Sequence, residues 1–285
     1  MTLHLDVTTI PSKTDIAVLR LGLSNYNVVQ VPDLMQVADD EFLVIMRENG
    51  KIIAGAVCEF DWGYLYFDTV WTDESVRGKG YGSLVMDAAE SYATQRGIQQ
   101  AYLMTTSFQA RPFYEKLGYE RFGFQADRPR GHVFHFMRKT QLIEKVTDAR
   151  ITIEAPPTSD SMTILDDGLL DDIAKTEPLV MQRLGIFLRD EADNILGGMI
   201  GGSFWDWFDM RVLWLDESVR GQGWAKKILV ETEAYVKDNN LVGICCDTAS
   251  FQALPFYQSQ GFDTICTLDK RPPQHKSYFL QKRLD

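Results

Sequence analysis

Two patterns of potentially reactive residues occur twice in this chain, 143 positions apart. The first is identical at eight of twelve positions and reads Trp71-Thr-Asp-Glu-Ser-Val-Arg77-Gly-Lys-Gly80-Tyr-Gly82, then Trp214-Leu-Asp-Glu-Ser-Val-Arg220-Gly-Gln-Gly223-Trp-Ala225. The second is identical at eight of ten and runs from Thr105 to Tyr114, then from Thr248 to Tyr257. Glycines beside an arginine suit the binding of an anion, and a tyrosine can donate a proton. The chain therefore contains an internal duplication of a candidate ligand site.

The Arg-x-x-Gly-x-Gly spacing predicts an anion-binding loop between a strand and a helix. Glycines let backbone N–H groups approach an anion closely, and a helix N-terminus adds the equivalent of about half a positive charge. A dinucleotide-binding fingerprint would need a third glycine where Ser83 or Val85 stands, and the Walker pattern is absent from the sequence. A plain tight turn before a helix remains the competing interpretation of a single copy.

The elements that would position these residues follow the same order in both halves. A strand enters the loop (Tyr64–Thr72 and Trp207–Leu215), and a helix from about Tyr81 to Gln95, with apolar residues on one face, leaves it. A buried strand and a short helix around Ala110–Leu117 follow, and this short helix would carry the tyrosine.

Each half also begins with a strand (Leu3–Val7 and Ile151–Glu154), followed by a helical stretch and two more strands. In the first half, Asn49-Gly50 between these two strands predicts a hairpin turn. Sequential strands around one parallel crossover predict a mixed α/β fold. Each half would hold one mixed, mostly antiparallel sheet flanked by helices. We divide the chain into two domains, residues 1–143 and 144–285.

Composition excludes several classes of protein. The 285 residues include 29 basic and 40 acidic side chains, and the net charge of −11 argues against a nucleic-acid partner, which needs clustered Lys and Arg. Since no apolar run approaches the roughly 20 residues that span a bilayer, and the start lacks a secretory signal, we predict a cytoplasmic protein without a membrane partner. The cysteines and histidines show no metal-ligand spacing, so we predict no metal.

With Phe113-Tyr114 downstream of the loop, both halves resemble the GNAT superfamily of N-acetyltransferases, which use acetyl-CoA. The resemblance implies two GNAT domains in tandem, in which the loop amides bind the CoA pyrophosphate and the preceding strand runs beside the pantetheine arm. Where many members carry an asparagine before the tyrosine, this chain has Ser107 and Ser250. The implied cofactor-binding residues are Thr69, Val70, Trp71, Arg77, Gly78, Lys79, Gly80, Tyr81, Gly82 and Ser107, and Val212, Leu213, Trp214, Arg220, Gly221, Gln222, Gly223, Trp224, Ala225 and Ser250.

The resemblance also assigns a catalytic role to Tyr114 and Tyr257, since a tyrosine at this position protonates the departing CoA thiolate. A phenol with a reference pKa near 10 is protonated at pH 7 and can serve as this acid. General acid help of this kind contributes about 10²–10⁴ in rate. For a lone Phe-Tyr pair, an aromatic core residue would be the competing interpretation.

The acceptor amine needs a group that takes its proton. A primary amine with a reference pKa near 10.4 is only about 0.04% neutral at pH 7, a cost of roughly 4.6 kcal/mol. Some family members place a carboxylate near the start of the fourth strand, where this chain has Tyr64 and Trp207. A chain of water molecules is an equal alternative, and the sequence does not choose between them. The acidic residues nearby are Glu59, Asp61, Asp68, Asp206 and Asp209, and for each of them a solvated or strand-edge carboxylate is the competing interpretation.

An acidic cluster, Asp166-Asp167 with Asp171-Asp172, lies in the segment that lines the acceptor groove in this family, and its first-half equivalent is nearly uncharged. We expect from this that the second half receives a cationic amine. A solvated helix face is the competing interpretation.

The sequence thus predicts an N-acetyltransferase that moves the acetyl group of acetyl-CoA to a primary amine by direct attack. The alternative is an acyl-CoA-binding sensor or assembly module in which one or both halves are non-catalytic, and a different acyl donor is a third option. The expected partners are acetyl-CoA or CoA and an amine acceptor. The chain would act as a monomer that is a pseudo-dimer of two domains, or as a homodimer.

Overall fold

The computed structural model describes residues 2–32, 41–177 and 179–285, and these residues form two seven-stranded sheets. The first half of the sequence contributes β1 (His4–Thr8), α1 (Lys13–Gln30), β2 (Glu41–Glu48), β3 (Lys51–Asp61), β4 (Tyr64–Thr72), α2 (Tyr81–Thr94), β5 (Ala101–Thr106), α3 (Arg111–Lys116), β6 (Glu120–Ala126) and β7 (Val133–Lys139). The second half contributes β8 (Ile151–Glu154), α4 (Ser159–Ala174), β9 (Arg183–Arg189), β10 (Ile195–Phe204), β11 (Trp207–Leu215), α5 (Trp224–Asp238), β12 (Gly243–Ala249), α6 (Leu254–Ser259), β13 (Asp263–Asp269) and β14 (Lys276–Arg283).

The two halves exchange their first strands. The first sheet has the order β6-β7-β5-β4-β3-β2-β8, and the second has the order β13-β14-β12-β11-β10-β9-β1. Strand β8 pairs antiparallel with β2, with Glu154 opposite Leu43, and β1 pairs antiparallel with β9, with His4 opposite Arg189. Each sheet is therefore completed at one edge by a strand from the other half.

The helix that follows each exchanged strand also packs on the other half's sheet. Helix α4 packs on β3 and β4 of the first sheet, and α1 packs on β10 and β11 of the second. Leu165 of α4 is fully buried in a cluster with Leu43 and Ile45, while Leu19 of α1 is fully buried against Phe187. Because burying such a side chain stabilises the fold by about 1.5–3 kcal/mol, each exchange is held by apolar packing as well as by the strand ladder. The domain boundary at residue 143 was placed from the sequence repeat, and it stays a prediction.

The interface between the halves has a core of its own. An aromatic cluster spans both halves and includes Tyr64, Tyr102, Phe136, Trp205 and Phe279. The edge strands β6 and β13 also meet there. This shared core makes the two halves one packed body.

Two buried ion pairs cross this interface, and their arginines, but not their carboxylates, are equivalent in the repeat. The Arg128 guanidinium binds both carboxylate oxygens of Asp209, at 2.8 and 2.7 Å, and Arg271 Nη2 lies 2.6 Å from Asp61 Oδ2. Burial of an arginine without a counterion would be costly, so each carboxylate is a structural partner of its arginine.

The predicted mixed, mostly antiparallel α/β fold is confirmed, with β4 and β5 as the parallel pair of the first sheet and β11 and β12 as that of the second. The parallel pairing is short: it joins Leu65–Phe67 to Ala101–Leu103 and ends there. From residue 68 onward the two strands diverge and open a cleft between them. The second sheet opens in the same way after Asp209. Of the helices in the described residues, none is long and apolar enough to cross a membrane.

Candidate active site

The duplicated loop has the backbone geometry that the glycine spacing predicted. Gly78 and Gly80 adopt φ values of +78° and +84°, and Gly221 and Gly223 adopt +73° and +83°. These left-handed conformations favour glycine because a side chain is strained there. Among the described residues, no side chain caps the helices that begin at Tyr81 and Trp224. The amides of the first turn are therefore left for an anion.

The arginine of each motif fixes its loop. Arg77 Nε donates to the carbonyl of Thr72 at 3.0 Å, and Arg220 Nε donates to the carbonyl of Leu215 at 2.9 Å. In the first loop the Asp73 carboxylate also accepts from the Ser75 amide at 3.0 Å, and its hydrogen bonds to Ser75 lower its pKa to about 2. The repeated Asp-Glu-Ser-Val stretch is thus a capped turn that leads into the glycines.

The loop and the diverging strands of the first half border a cavity of about 690 Å³. The predicted residues that line it are Val70, Trp71, Arg77, Gly78, Gly80, Tyr81, Gly82 and Tyr114. The cleft also receives side chains from α4, which belongs to the other half of the sequence: Leu169, Asp172 and Ile173, followed by Lys175 and Thr176. The first cleft is therefore built from both halves.

Tyr114 lies in the wall of the first cavity on α3, with only 8% of its surface exposed. It packs edge-on against Phe113 and Tyr119, with ring centroids 5.1 and 6.2 Å away. Burial raises the pKa of Tyr114 well above 10. The phenol is therefore protonated across the neutral range and can donate to a group bound in the cleft.

The second cleft is smaller, and hydrogen bonds from helix α1 cross it. Its cavity measures about 240 Å³, and the predicted residues that line it are Leu213, Trp214, Arg220 and Tyr257. Helix α1 of the first half lies over it, where the Tyr26 hydroxyl donates to the carbonyl of Phe251 at 3.0 Å. Gln252 Nε2 donates to Asn27 Oδ1 at 2.8 Å beside this contact. The guanidinium carbon of Arg220 also lies 5.3 Å from the ring centre of Tyr26. Two direct hydrogen bonds thus join α1 to the segment before α6 across this cleft.

Some predicted residues lie outside the surfaces that border the cavities, and for them the role in cofactor binding stays a prediction: Thr69, Lys79, Ser107, Val212, Gly221, Gln222, Gly223, Trp224, Ala225 and Ser250. The two serines have another partner. Ser107 Oγ lies 3.2 Å from His132 Nδ1, and Ser250 Oγ lies 3.1 Å from His275 Nδ1. These pairs hold the loops before β7 and β14.

Four of the five candidate proton acceptors separate into structural carboxylates and one cleft residue, and the role of Glu59 stays a prediction. Asp61 and Asp209 form the buried ion pairs described above, and Asp206 accepts from the Arg130 amide at 2.8 Å. Of the five candidate acceptors, Asp68 lines the first cavity. The Tyr66 hydroxyl donates to Asp68 Oδ1 at 3.2 Å.

The acidic cluster of α4 does not lie in the second half's groove, as the sequence led us to expect, but on the first half's cleft. Asp166 Oδ1 accepts from the Thr69 hydroxyl at 2.9 Å, and Asp172 pairs with Arg77. The expectation was wrong because the exchange of β8 and α4 places this helix on the other half's sheet.

Sequence reasoning missed the residues that cross from one half to the other. Gly168 and Gly22 match at an offset of 146 instead of 143. The offset changes because the second half is three residues shorter between these glycines and the motif. That change was the available signal, but it does not show on which sheet each helix packs.

The match to a family model agrees with this geometry. The Acetyltransferase (GNAT) family model matches residues 22–119 and 153–262, one segment in each half. The chain therefore belongs to the GNAT acetyltransferase family and contains two GNAT domains in tandem.

Individual relatives each match between 33% and 45% of the chain. The chain is 30% identical to the blasticidin-S acetyltransferase of Streptomyces morookaense over 95 residues, which are 33% of this chain and 70% of that protein. It is 30% identical to acetyltransferase Atu2258 of Agrobacterium fabrum (strain C58) over 100 residues, or 35% of this chain and 73% of that one. Among solved structures, it is similar to an acetyltransferase from Bacillus cereus ATCC 14579, with 26% identity, a TM-score of 0.43, and coverage of 45% of this chain and 94% of that one.

Proposed function

We propose that the first cleft transfers the acetyl group of acetyl-CoA to a primary amine by direct attack, without a covalent enzyme intermediate. One observation carries the proposal: the uncapped loop at Gly78–Gly80, the diverging strand β4 and the buried phenol of Tyr114 border a single cavity of about 690 Å³. A pocket of several hundred Å³ with a few convergent polar groups is typical of a small-molecule site.

The cleft suits acetyl-CoA as a co-substrate. The amides at the start of α2 and the guanidinium of Arg77 would bind the pyrophosphate, and the unpaired edge of β4 from residue 68 onward would run beside the pantetheine arm. The apolar walls at Val70, Leu103 and Phe113 would exclude water from the thioester.

The chemistry balances with the groups on hand. The amine nitrogen forms the C–N bond to the thioester carbon, and the C–S bond then breaks. Tyr114 gives its hydroxyl proton to the departing sulfur and regains a proton from the new amide nitrogen. The raised pKa of Tyr114 opposes early proton loss, so it would act as the sulfur becomes negative.

A second candidate function applies to the second cleft alone. We infer that this half is a non-catalytic CoA-binding or structural module, because the hydrogen bond from Tyr26 to Phe251 crosses a cleft of about 240 Å³. It would have to open before a cofactor of CoA size could enter. We place the protein in the cytoplasm and regard the chain as a monomer that is a pseudo-dimer.

The direct test is a panel of amines, including polyamines, aminoglycosides, amino acids and peptide lysines, assayed with acetyl-CoA by thiol release and by mass of the product. The proposal expects at least one amine to gain an acetyl group with equal release of CoA. Thioester hydrolysis with no acetylated amine from any class would contradict it.

A further inference from the structure

Asp68 and Arg211 occupy equivalent positions in the two halves, and each is the extra residue of a β-bulge. Asp68 lies between Phe67 and Thr69, which are registered with consecutive residues of β3. Arg211 likewise lies between two residues of β11 that are registered with consecutive residues of β10. A bulge turns the side chain of its extra residue away from the ordinary alternation and is common beside active sites.

Both bulges fall where the clefts open. Asp68 immediately follows Phe67, the last residue of β4 that pairs with β5, and it lines the first cavity with Tyr114. Arg211 stands two residues beyond the last paired position of β11 and lines the second cavity with Tyr257. Equivalent places in the two clefts therefore carry opposite charges.

We propose that Asp68 is the proton acceptor of the first cleft, and that this cleft takes a primary amine that is protonated in solution. The inference rests on the proposed acetyl transfer and names the base and the charge of its substrate. The Asp68 carboxylate takes one proton from the ammonium group and becomes neutral. The freed nitrogen lone pair attacks the thioester, and Asp68 later returns its proton to solvent.

The surroundings of Asp68 suit this role. Burial by the neighbouring elements raises the pKa of Asp68, although the residue keeps an exposed surface where it faces the cleft. The hydrogen bond from Tyr66 and the charge of Arg211 lower it, and Asp166 raises it. A higher pKa makes the carboxylate a stronger base. The other titratable groups that face it are Glu41 of β2 and Cys58 of β3.

Arg211 prevents the same chemistry in the second cleft. A guanidinium has no acceptor atom and stays charged at any working pH. It would repel an ammonium group in the place where Asp68 attracts one. At this position the second cleft therefore lacks the base that the first one has, in keeping with a non-catalytic second half. Asp247 also lines the second cleft, but its carboxylate is paired with Arg271 at 3.3 Å.

The test measures kcat/KM against pH for the best amine of the panel in the full chain. The proposal expects Asp68→Asn to lower kcat/KM about 100-fold or more at neutral pH and to remove the acidic limb of the profile, while the Kd for CoA changes less than about threefold. Asp68→Glu should restore part of the rate and the limb. Arg211→Met should move the limb to higher pH and Asp166→Asn to lower pH, because their charges act on Asp68 with opposite sign.

The control is Tyr114→Phe, which should lower kcat but keep the acidic limb. If Asp68→Asn retains that limb, or if Arg211→Met and Asp166→Asn leave its position unchanged, Asp68 is not the base. In that result the wild-type protein would still acetylate the amine, so only this inference would fail. A wild-type protein that acetylates no amine would instead overturn the proposed function.

Discussion

Gly168 of the second half packs directly on the indole of Trp71 in the first half, where a Cβ at residue 168 would lie 2.5 Å from Trp71 Cε2. Gly22 makes the equivalent contact with Trp214, with a distance of 2.3 Å to Cε2. Both tryptophans belong to the duplicated motif, and both glycines lie on the exchanged helices. Each exchanged helix thus packs on the end of β4 or β11 in the other half's sheet, directly before the duplicated loop.

Gly168→Ala should destabilise the protein. Alanine in a helix interior is favoured over glycine by about 1 kcal/mol, but a Cβ pressed into a rigid indole costs about 1–3 kcal/mol, so the clash should prevail. We expect a lower free energy of unfolding in urea and weaker binding of CoA. Asp167→Ala, at an exposed position of the same helix, serves as the control and should stay within about 0.5 kcal/mol. A stabilised Gly168→Ala protein would show that α4 does not pack on Trp71.

The two clefts should bind CoA unequally. Titration calorimetry with CoA should resolve one tight site, because the contacts of Tyr26 and Asn27 close the second cleft. Tyr26→Phe removes the hydrogen bond to Phe251 and should strengthen the weaker site by a few fold. Two equal sites in the wild-type protein would contradict the closed second cleft.

The capped turn before the first loop should affect cofactor binding more than folding. Asp73→Ala removes the hydrogen bonds to Ser75, and we expect a severalfold weaker Kd for CoA with little change in Tm. The folded pKa of Asp73 is lowered to about 2 from an ordinary 3.8, so its contribution to stability, which solvent screening keeps small, is complete above about pH 4 and disappears as the pH falls towards 2. Titration calorimetry with CoA and thermal unfolding of the wild-type and Asp73→Ala proteins test this. A clearly lower Tm with an unchanged Kd for CoA would count against it.

Asp209→Asn should be strongly destabilising, since it leaves the Arg128 guanidinium buried without a counterion. Removing one partner of a buried pair costs about 3–5 kcal/mol. The control across the same interface is Asp127→Asn, because the Asp127–Arg283 pair is exposed, with side chains 43% and 42% accessible. Such pairs contribute about 0–1 kcal/mol. Similar losses in the two variants would show that the buried pair does not hold the halves together.

The sequence predicted the local features of the two duplicated motifs. Gly78 and Gly80 adopt the left-handed conformations that their spacing implied, and Tyr114 lies in the cleft wall. The bounds predicted for β1, β4, β8 and β11 also agree with the structure to within one residue. These features depend on neighbouring residues, so a pattern can show them.

The exchange of β1 and β8 could not be predicted in this way. Leu3–Val7 would complete either sheet, since both edges offer the same antiparallel ladder to an alternating strand. The choice depends on contacts such as those of Leu19 with Phe187, which are distant in sequence. The roles of Asp61, Asp68 and Asp209 could not be predicted for the same reason. Asp61 and Asp209 are distinguished from Asp68 by ion pairs with arginines of the other half, which are distant in sequence.

The most direct test of acetyl transfer in the first cleft compares Tyr114→Phe with Tyr257→Phe in the same full chain. The rate of acetyl transfer to the best amine is measured at saturating acetyl-CoA. Both substitutions remove one buried hydroxyl at equivalent positions, so each controls for the other. We expect Tyr114→Phe to lower kcat by about 10²–10⁴ with nearly unchanged CoA affinity, and Tyr257→Phe to leave kcat within about twofold. A full rate in Tyr114→Phe, or an equal loss in Tyr257→Phe, would contradict it.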